Sequence, residues 1–381
     1  MLQSLEVNNY RNLRSVKIPS LGRINLITGK NNTGKSSLLE AISLYGMKGE
    51  VSWIYQLLNE RGEYYRVSDE NKNVIESNLR TFSSLFTDRQ VSYLLKDSIS
   101  IGAIEDTLFG KEKSYEKTLI LRFVKYIEET ETQAISELSE RVLRRKRTIV
   151  QESELNNVQD FHIGVEIKSG SFTHILRLEE RETLRFSTRN LIPTENVQFI
   201  RTKNIDRDIN GKLWDNIALS KKEDNVIQAL KIIEKNIERV AFVEEFSRQR
   251  TTVVKLGNTN RIVPLKSMGD GINRILTIIL ALVNSDKGYL LIDEFENGLH
   301  YSVQEQLWSI IFNLSKELNV QVFATTHSSD CINAFENVLN TNQNALEGKL
   351  IRLDFDNGNI KQVDFDAKEL KIATEQNIET R

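Results

Sequence analysis

The chain has 381 residues, with 51 lysines and arginines against 53 aspartates and glutamates and a single cysteine, Cys331. This length favours two lobes or a core with an insertion, the balanced charge gives no overall attraction to nucleic acid, and one cysteine excludes an internal disulfide. No signal-peptide pattern or apolar run near the roughly 20 residues that span a bilayer is present in the sequence, so we expect a soluble cytoplasmic protein without membrane contact.

The first residues predict three strands and a phosphate-binding loop. Residues 2–8 and 14–18 alternate apolar and polar side chains, and an apolar run at 24–27 enters the sequence GKNNTGKS at 29–36, which fits GxxxxGK[ST]. Apolar residues then keep a helical period up to Gly46. Strand, glycine-rich loop and helix together predict that N–H groups at the helix start face a phosphate.

The loop residues have expected roles in binding a nucleoside triphosphate. Lys35 is expected to reach the β- and γ-phosphates, and Ser36 to hold a magnesium ion. The residues expected to contact the nucleotide here are Asn31, Asn32, Thr33, Gly34, Lys35, Ser36 and Ser37.

Residues 50–160 predict a mainly helical insertion. They are rich in Glu, Lys, Arg and Ser, contain no proline, and show a loose helical period at 119–127 and 135–142. Within them, Arg141–Arg147 is the densest basic run. We interpret it either as a contact to a nucleic-acid backbone or as a solvated helix face paired with the acidic stretch Glu128–Glu131, and we prefer the second.

After residue 160 the apolar period returns to two. Residues 161–167 and 172–176 predict a hairpin, and a further strand is expected at Val197–Ile200. A helical period runs through Val226, Ile227, Leu230, Ile233, Ile237 and Val240. Another hairpin is expected from Thr252–Leu256 and Arg261–Leu265.

A second glycine-rich stretch, LKSMGDG at 265–271, precedes an apolar run that predicts a buried helix. Ser267, Gly269 and Gly271 at the start of that helix predict a second anion site. One nucleotide does not need two phosphate-binding loops from the same lobe, so we expect this stretch to bind the nucleotide of another subunit.

Two later strands end in polar residues. The apolar run at 288–292 is followed by Asp293 and Glu294, and the run at 320–326 by His327. The apolar residues between the two runs keep a helical period, so the unit is strand, helix, strand, and the two strands are expected to be parallel. Their carboxyl ends then lie at the same edge of the sheet. We expect Asp293 to reach the magnesium ion, Glu294 to polarise the attacking water and His327 to sense the γ-phosphate.

The ordered motifs GKNNTGKS, LKSMGDG, YLLIDE, ENGLH and TTHSSD resemble the ATPase head of the ABC class, in the branch of SMC, RecF and OLD (overcoming-lysogenisation-defect) proteins. The resemblance covers residues 1–46 and 195–340. It is greatest for stand-alone OLD-like, AAA-type ATPases that accompany effectors in bacterial defence against phage. It implies an α/β P-loop NTPase of ABC-ATPase type, with a mixed sheet, an antiparallel β subdomain and the helical insertion, and ATP and Mg²⁺ as ligands.

The resemblance also assigns residues. It gives a Walker A role to Lys35 and Ser36, a Walker B role to Asp293 and Glu294, and a switch role to His327, so that Glu294 and His327 are catalytic and Ser36 and Asp293 bind metal. Ser267, Gly269 and Gly271 fall on the ABC signature, where SMGDG replaces the LSGGQ of transporters. Further expected assignments are Asn297–His300 as the D-loop, Arg11 as a nucleotide contact, Gln56 or Gln90 among open candidates for the Q-loop, and a division into 1–49, 50–160 and 161–381.

The function that the resemblance implies is an ATP-dependent switch that self-associates into a dimer or higher oligomer and regulates a separate effector, such as a Toprim nuclease. We expect no nuclease in this chain, because Asp354-Phe355-Asp356 runs into Asn357-Gly358, which is typical of a hairpin turn. The alternative is a RecF- or SMC-like DNA-repair protein, and DNA stays open as a partner. A transporter subunit fits SMGDG poorly, and a GTPase fits poorly because no NKxD motif is found.

Overall fold

The computed structural model describes residues 1–65, 73–91, 93, 97–104, 117–134, 141–150, 160–179, 194–202, 209–244, 250–257, 261–341, 346–356, 359–376 and 378–380. The chain divides into two compact units. Unit 1 comprises Met1–Leu5, Val16–Met47 and Pro193–Arg381, and unit 2 comprises Glu6–Ser15 and Lys48–Ile192. The phosphate loop and the later motifs all lie in unit 1.

The strands are, in chain order, β1 (Leu5–Tyr10), β2 (Leu13–Ile18), β3 (Ile24–Thr28), β4 (Ile99–Gly102), β5 (Thr118–Ala134), β6 (Arg141–Ile149), β7 (His162–Ser169), β8 (Phe172–Arg177), β9 (Val197–Ile200), β10 (Ile237–Glu244), β11 (Arg250–Leu256), β12 (Arg261–Pro264), β13 (Tyr289–Ile292), β14 (Gln321–Thr325), β15 (Gly348–Asp356) and β16 (Asn359–Phe365). The α-helices are α1 (Lys35–Gly46), α2 (Val51–Glu60), α3 (Val74–Ser83), α4 (Ile209–Asp215), α5 (Lys221–Ile233), α6 (Asp270–Asn284), α7 (Tyr301–Glu317), α8 (Ser329–Leu339) and α9 (Ala367–Glu375).

Unit 1 is built on a mixed six-stranded sheet in the order β16-β15-β3-β14-β13-β9. The strands from β15 to β9 are parallel to one another, and β16 pairs antiparallel with β15 at one edge. Every residue of β3, β13 and β14 is buried, as expected for parallel strands that are covered on both faces. The carboxyl ends of these three neighbouring strands therefore lie side by side, and the predicted site residues follow them.

The buried helix predicted after the second glycine-rich stretch is α6. Residues 275–283 of this helix are all buried, so the prediction is confirmed. Neither α6 nor any other helix in the described part of the chain is long and apolar enough to cross a membrane.

An aromatic cluster holds the segment that follows β13 against two helices. Trp308 of α7 is fully buried and stacks on Phe295, with the ring centroids 4.1 Å apart and the ring planes at 11°. Phe335 of α8 meets Trp308 edge-on at 5.0 Å. Stacked and edge-on aromatic pairs stabilise a core beyond the area that they bury, so the chain directly after Glu294 is fixed by packing.

The helix predicted through residues 226–240 is only partly correct. α5 ends at Ile233, and Ile237 and Val240 lie in β10, which belongs to a three-stranded antiparallel sheet with β11 and β12. A register shift between Ile237 and Arg239 marks a bulge in β10. Because a bulge inserts one residue, two buried side chains three residues apart fall on one face of this strand and imitate a helical spacing.

The three predicted hairpins are confirmed in their strands. β7 pairs with β8, β11 with β12 and β15 with β16, each antiparallel. Asp354 and Asp356 lie in β15, where they pair with Arg352 and Lys361. The turn residues 357–358 lie outside the described residues, but the pairing of the strands on either side agrees with a hairpin rather than a metal motif.

In its described residues, the insertion at 50–160 is not mainly helical. α2 and α3 lie at its start, but the predicted helix 119–127 is part of β5, and the basic run lies in β6; residues 135–140 lie outside the described residues. Unit 2 contains most of a sheet in the order β2-β1-β4-β5-β7-β8, with β6 also paired to β5. The apolar residues of β5 are buried on both faces of the sheet, so their spacing fits the period of a helix as well as that of a strand. Their β-branched and aromatic types favour a strand.

The register of β6 sets the basic run beside the acidic stretch, so the pairing in the preferred interpretation is confirmed, but the run lies on a strand and not on a helix face. The register of β5 and β6 places Glu128 opposite Arg147 and Glu131 opposite Arg144. Hydrogen bonds from Arg177 and then Arg147 lower the pKa of Glu128 to about 2, against the effect of its burial. Part of the charge of this run is therefore compensated inside unit 2.

Candidate functional site

The phosphate loop joins β3 to α1 through three residues with positive φ. The φ angles are 132° at Gly29, 64° at Asn32 and 90° at Gly34, and Thr33 Oγ1 donates to the carbonyl of Lys30 at 2.8 Å. No side chain in the described part of the chain caps the start of α1. The first N–H groups of a helix have no partner within it, so this end can bind an anion, and the predicted strand, loop and helix are confirmed.

Gly29 makes a close approach that a larger residue does not fit. A Cβ atom at this position would lie 2.3 Å from the carbonyl oxygen of Leu353, and the φ angle of Gly29 is disfavoured for residues with a Cβ.

We expect Gly29→Ala to lower the free energy of unfolding by about 1–3 kcal/mol more than Gly298→Ala does, because overpacking adds to backbone strain. Gly298 is a matched control, since it lies in the same unit with φ 74° but has open space around it. Denaturant unfolding of both variants measures the difference, and equal losses would contradict the close approach.

The Lys35 side chain is buried across the loop. It is 6% exposed, and Nζ donates to the carbonyls of Gly29 and Lys30, each at 2.7 Å. Burial lowers the pKa of Lys35 to about 8, against the attraction of three nearby carboxylates. An ammonium group that is already desolvated and held by two carbonyls can exchange them for phosphate oxygens at little further cost.

Ser36 and Asp293 meet at the carboxyl edge of the sheet. Ser36 Oγ donates to Asp293 Oδ1 at 3.1 Å, and Thr325 Oγ1 donates to the same oxygen at 2.7 Å. Hydroxyl and carboxylate oxygens are ligands that Mg²⁺ prefers, so the donor set fits the metal that the sequence predicts. Thr325 was not predicted; its place as the last residue of a buried strand beside β13 is the signal that could have indicated it.

Glu294 has a strained backbone and a carboxylate that is unpaired in the part of the chain that the structure describes. Its φ is 50°, a left-handed value that costs a non-glycine residue about 1–2 kcal/mol. The turn is held by hydrogen bonds from the Glu294 N–H to Thr325 Oγ1 and from the Phe295 N–H to the Thr325 carbonyl, both at 2.8 Å. Within the described ranges the Glu294 carboxylate makes no hydrogen bond or ion pair, so it is available to accept a proton.

Glu296, which sequence reasoning missed, has the opposite character. Its two carboxylate oxygens accept hydrogen bonds from Thr326 Oγ1 at 2.7 Å and from the His327 N–H at 2.8 Å. Glu296 therefore fixes the segment after β14 and with it the backbone of His327. No local sequence pattern indicates this pairing, because it joins residues from two different strand ends.

A cavity of about 370 Å³ opens beside the phosphate loop, within the usual size of small-molecule sites. Its lining residues are Gly29, Lys30, Asn31, His327 and Glu379. The structure thus brings His327 to the loop, as predicted from the order of the strands. Glu379 was not predicted, and its segment is held by a hydrogen bond from Thr28 Oγ1 to the carbonyl of Thr380 at 2.7 Å.

The signature stretch forms the turn that begins α6. Gly269 has φ 109° with open space around it, and Ser267 Oγ donates to the carbonyl of Pro264 at 2.7 Å. A Cβ atom at Gly271 would lie 3.1 Å from the carbonyl oxygen of Gly298. The start of α6 and the predicted D-loop therefore lie against each other, whereas the role of Ser267, Gly269 and Gly271 toward a nucleotide stays a prediction.

Two further predicted residues lie in unit 2. Arg11 Nη1 donates to Glu63 at 2.6 Å, and this ion pair is largely buried. Gln56 donates to Glu60 on the exposed side of α2. A nucleotide contact by Arg11 and the choice of a Q-loop glutamine both stay predictions.

Comparison with known proteins connects this site to a family. Residues 24–330 match the family described as "AAA domain, putative AbiEii toxin, Type IV TA system". The chain is 27% identical over 365 residues to a Helicobacter pylori protein named "ATP/GTP phosphatase", with 93% of each chain covered. It is also 36% identical over 93 residues to the uncharacterized protein MJECL11 of Methanocaldococcus jannaschii, which covers 24% of this chain and 80% of that protein.

Solved structures of SMC heads are similar over nearly the whole chain. The SMC head bound to the C-winged helix domain of ScpA has a TM-score of 0.46 and 13% identity, covering 96% of this chain and 98% of that chain. The SMC head domain from Thermotoga maritima has a TM-score of 0.43 and 11% identity, covering 96% and 99%. These likenesses are too distant to assign partners. Because the family match spans residues 24–330 and includes both the phosphate loop and the Asp293-Glu294 pair, the chain belongs to this AAA-domain family and is a P-loop ATPase.

Proposed function

We propose that this ATPase is a molecular switch in which two copies close head to head around ATP, hydrolyse it and so regulate a separate effector protein. The observation that carries the proposal is the pair of acids after β13. Asp293 is held by Ser36 and Thr325, whereas Glu294 keeps a carboxylate without a partner in the described part of the chain. A carboxylate that is oriented by two hydroxyl groups, as in Asp293, suits metal binding. The neighbouring Glu294 carboxylate, without a partner in the described residues, suits proton acceptance.

ATP binding falls to the phosphate loop and its helix. The N–H groups at the start of α1 and the Lys35 ammonium bind the β- and γ-phosphate oxygens, and Ser36 and Asp293 hold Mg²⁺. A Mg²⁺ ion held by these residues would neutralise the charge that develops on the phosphates. The likeness to a protein named ATP/GTP phosphatase supports a nucleoside triphosphate as the substrate.

Glu294 and His327 are the residues that act in hydrolysis. Phosphoryl transfer to water needs an attacking oxygen in line with the leaving oxygen, so positioning contributes most of the catalysis. Glu294 orients the water and accepts its proton, and ADP and phosphate leave. His327, whose backbone is fixed by Glu296, contacts the γ-phosphate and so distinguishes ATP from ADP.

The second half of each site comes from the other copy. Gly269 is exposed at the start of the 15-residue α6, and no side chain within the described residues caps this helix. Ser267, Gly269 and Gly271 bind the γ-phosphate held by the partner's phosphate loop. The two heads therefore associate when ATP is present and separate after hydrolysis, in a dimer or a larger ring of such contacts.

The regulated partner that we propose is a separate effector in antiviral defence against phage. A role in defence is supported by the family description, which reads "putative AbiEii toxin, Type IV TA system". The separate effector is supported by the motif resemblance to OLD-like ATPases. A Toprim nuclease is one candidate effector.

Light scattering of Glu294→Gln tests the head-to-head assembly. The variant removes the proton acceptor but keeps the ATP ligands, so we expect its mass to double when ATP and Mg²⁺ are added. The double variant Lys35→Ala/Glu294→Gln is the control, because it cannot hold the nucleotide. The measurement is repeated with a short DNA duplex.

Each outcome decides the proposal. Doubling with ATP alone supports the switch and directs the search to a protein effector. Assembly that requires DNA contradicts it and favours a RecF- or SMC-like repair function. A large assembly that forms equally without ATP also contradicts it, because nucleotide would then not join the heads.

A further inference from the structure

Arg274 is a buried cation that the assigned roles leave unexplained. It lies one turn inside α6, is 8% exposed, and its Nε atom has no hydrogen-bond partner within the described ranges. Burial lowers its pKa, with the acids after β13 opposing, yet an arginine keeps its charge in a protein. An apolar side chain would fill this place on α6 without burying a charge.

The guanidinium group reaches the turn that carries Glu294. Its Nη2 atom donates to the carbonyl oxygen of Asp293 at 3.2 Å and to that of Glu294 at 3.4 Å. These are its hydrogen bonds in the described part of the chain. Arg274 thus connects the signature helix to the two peptide groups that flank Glu294, one before it and one after it.

That turn is strained and needs to be held. Glu294 has φ 50°, and on its other side the turn is tied to β14 through Thr325. A strained conformation persists only where the surroundings fix it. Within the described residues, three side chains hold this one: Thr325 at the end of β14, Thr202 just after β9, which donates to the Asp293 carbonyl at 3.3 Å, and Arg274 of α6. Arg274 is the one of the three that belongs to the signature helix.

We propose that Arg274 is a positioning residue that ties the signature helix to the Glu294 turn, so that the position of the signature stretch sets the direction of the Glu294 carboxylate. The inference rests on the proposed roles of Glu294 and of the signature stretch. The residues from Gly269 to Arg274 form a single helical start, so a shift of the signature stretch on a partner's nucleotide moves the guanidinium group with it. Hydrolysis then begins when the heads have met, and not before.

Steady-state kinetics of Arg274→Met test the tie in the full-length chain. Methionine fills the apolar surroundings but cannot donate a hydrogen bond. Since a small misplacement of a catalytic group costs about 10- to 100-fold in rate, we expect kcat to fall by that factor. KM and the ATP-driven doubling of mass stay at wild-type values, because ATP binding does not involve Arg274.

Two comparisons separate positioning from a general structural effect. Thr277→Val is the matched control, because Thr277 is also buried on α6, one turn further along, but bonds within its own helix; we expect wild-type kcat. In the Glu294→Gln background, Arg274→Met should lower the residual rate by no more than about twofold, since both changes remove one function. If Arg274→Met instead caused an independent structural defect, the loss of rate in the double variant would equal the product of the losses in the two single variants.

The inference is overturned if Arg274→Met turns over ATP at the wild-type rate, if ATP binding is lost together with kcat, or if the two losses multiply. If the methionine variant does not fold, Arg274→Leu decides. Leucine also fills the apolar surroundings and cannot donate to the Asp293 and Glu294 carbonyls, so reduced kcat at unchanged KM supports the tie, and wild-type kcat overturns it. Failure of the wild-type chain to bind ATP would refute the proposed function instead, and the two failures are therefore distinguishable.

Discussion

Glu294→Gln is expected to lower the rate of ATP turnover by about 100- to 10,000-fold, the usual contribution of a positioned proton acceptor, while the affinity for ATP changes little. The physical reason is the contrast with Asp293. The Asp293 carboxylate is engaged by two hydroxyl groups, whereas the Glu294 carboxylate has no partner in the described part of the chain and stands on a turn with φ 50°. Glutamine keeps the shape of the side chain but is neutral, so it removes the negative charge and with it the ability to accept a proton.

Phosphate release and calorimetric ATP binding measure the two effects separately. Glu305→Gln is a suitable control, since it makes the same change on the surface of α7, where Glu305 accepts a hydrogen bond from Asn337. Normal turnover by Glu294→Gln would mean that another group orients the water, and the acid assignment would then be wrong.

The second large effect is expected for Lys35→Ala, which should weaken ATP binding by about 30- to 100-fold, or roughly 2–3 kcal/mol, because charge-assisted hydrogen bonds to the phosphates are lost. The lysine is already buried and held by two loop carbonyls, so little ordering is needed when it moves to phosphate oxygens. Calorimetric titration with ATP and Mg²⁺ gives the affinity.

Lys316→Ala serves as the control for Lys35→Ala, since it removes the same charge from an exposed position on α7. We expect both variants to stay folded, because in Lys35→Ala the removal of a desolvated charge offsets the hydrogen bonds that the Gly29 and Lys30 carbonyls lose. Unchanged ATP affinity in Lys35→Ala would remove the phosphate loop from the proposed mechanism.

The elements that depend on local sequence could be predicted. The phosphate loop is a continuous motif between a strand and a helix, and Asp293 and His327 each follow directly after an apolar strand. Parallel strands share one carboxyl edge, so even the meeting of His327 with the loop follows from the order of the strands. The structure agrees with each of these placements.

What could not be predicted depends on partners far apart in the chain. Thr325, Glu296 and Arg274 act through hydrogen bonds between different strand ends and helices, and no local pattern marks them. The two errors of secondary structure have a common cause: β5 is buried on both faces, and the bulge in β10 gives a three-residue spacing. In both places the apolar period alone does not distinguish a helix from a strand.

The stacking of Trp308 on Phe295 has an optical consequence. The indole ring lies directly against the residue that follows Glu294, and indole emission responds to the distance and polarity of its neighbours. The chain contains three tryptophans, so replacing Trp53 and Trp214 by phenylalanine leaves Trp308 as a single intrinsic fluorophore. Any repositioning of the Glu294 turn when ATP arrives becomes readable in real time by stopped-flow fluorescence, without a label attached to the protein.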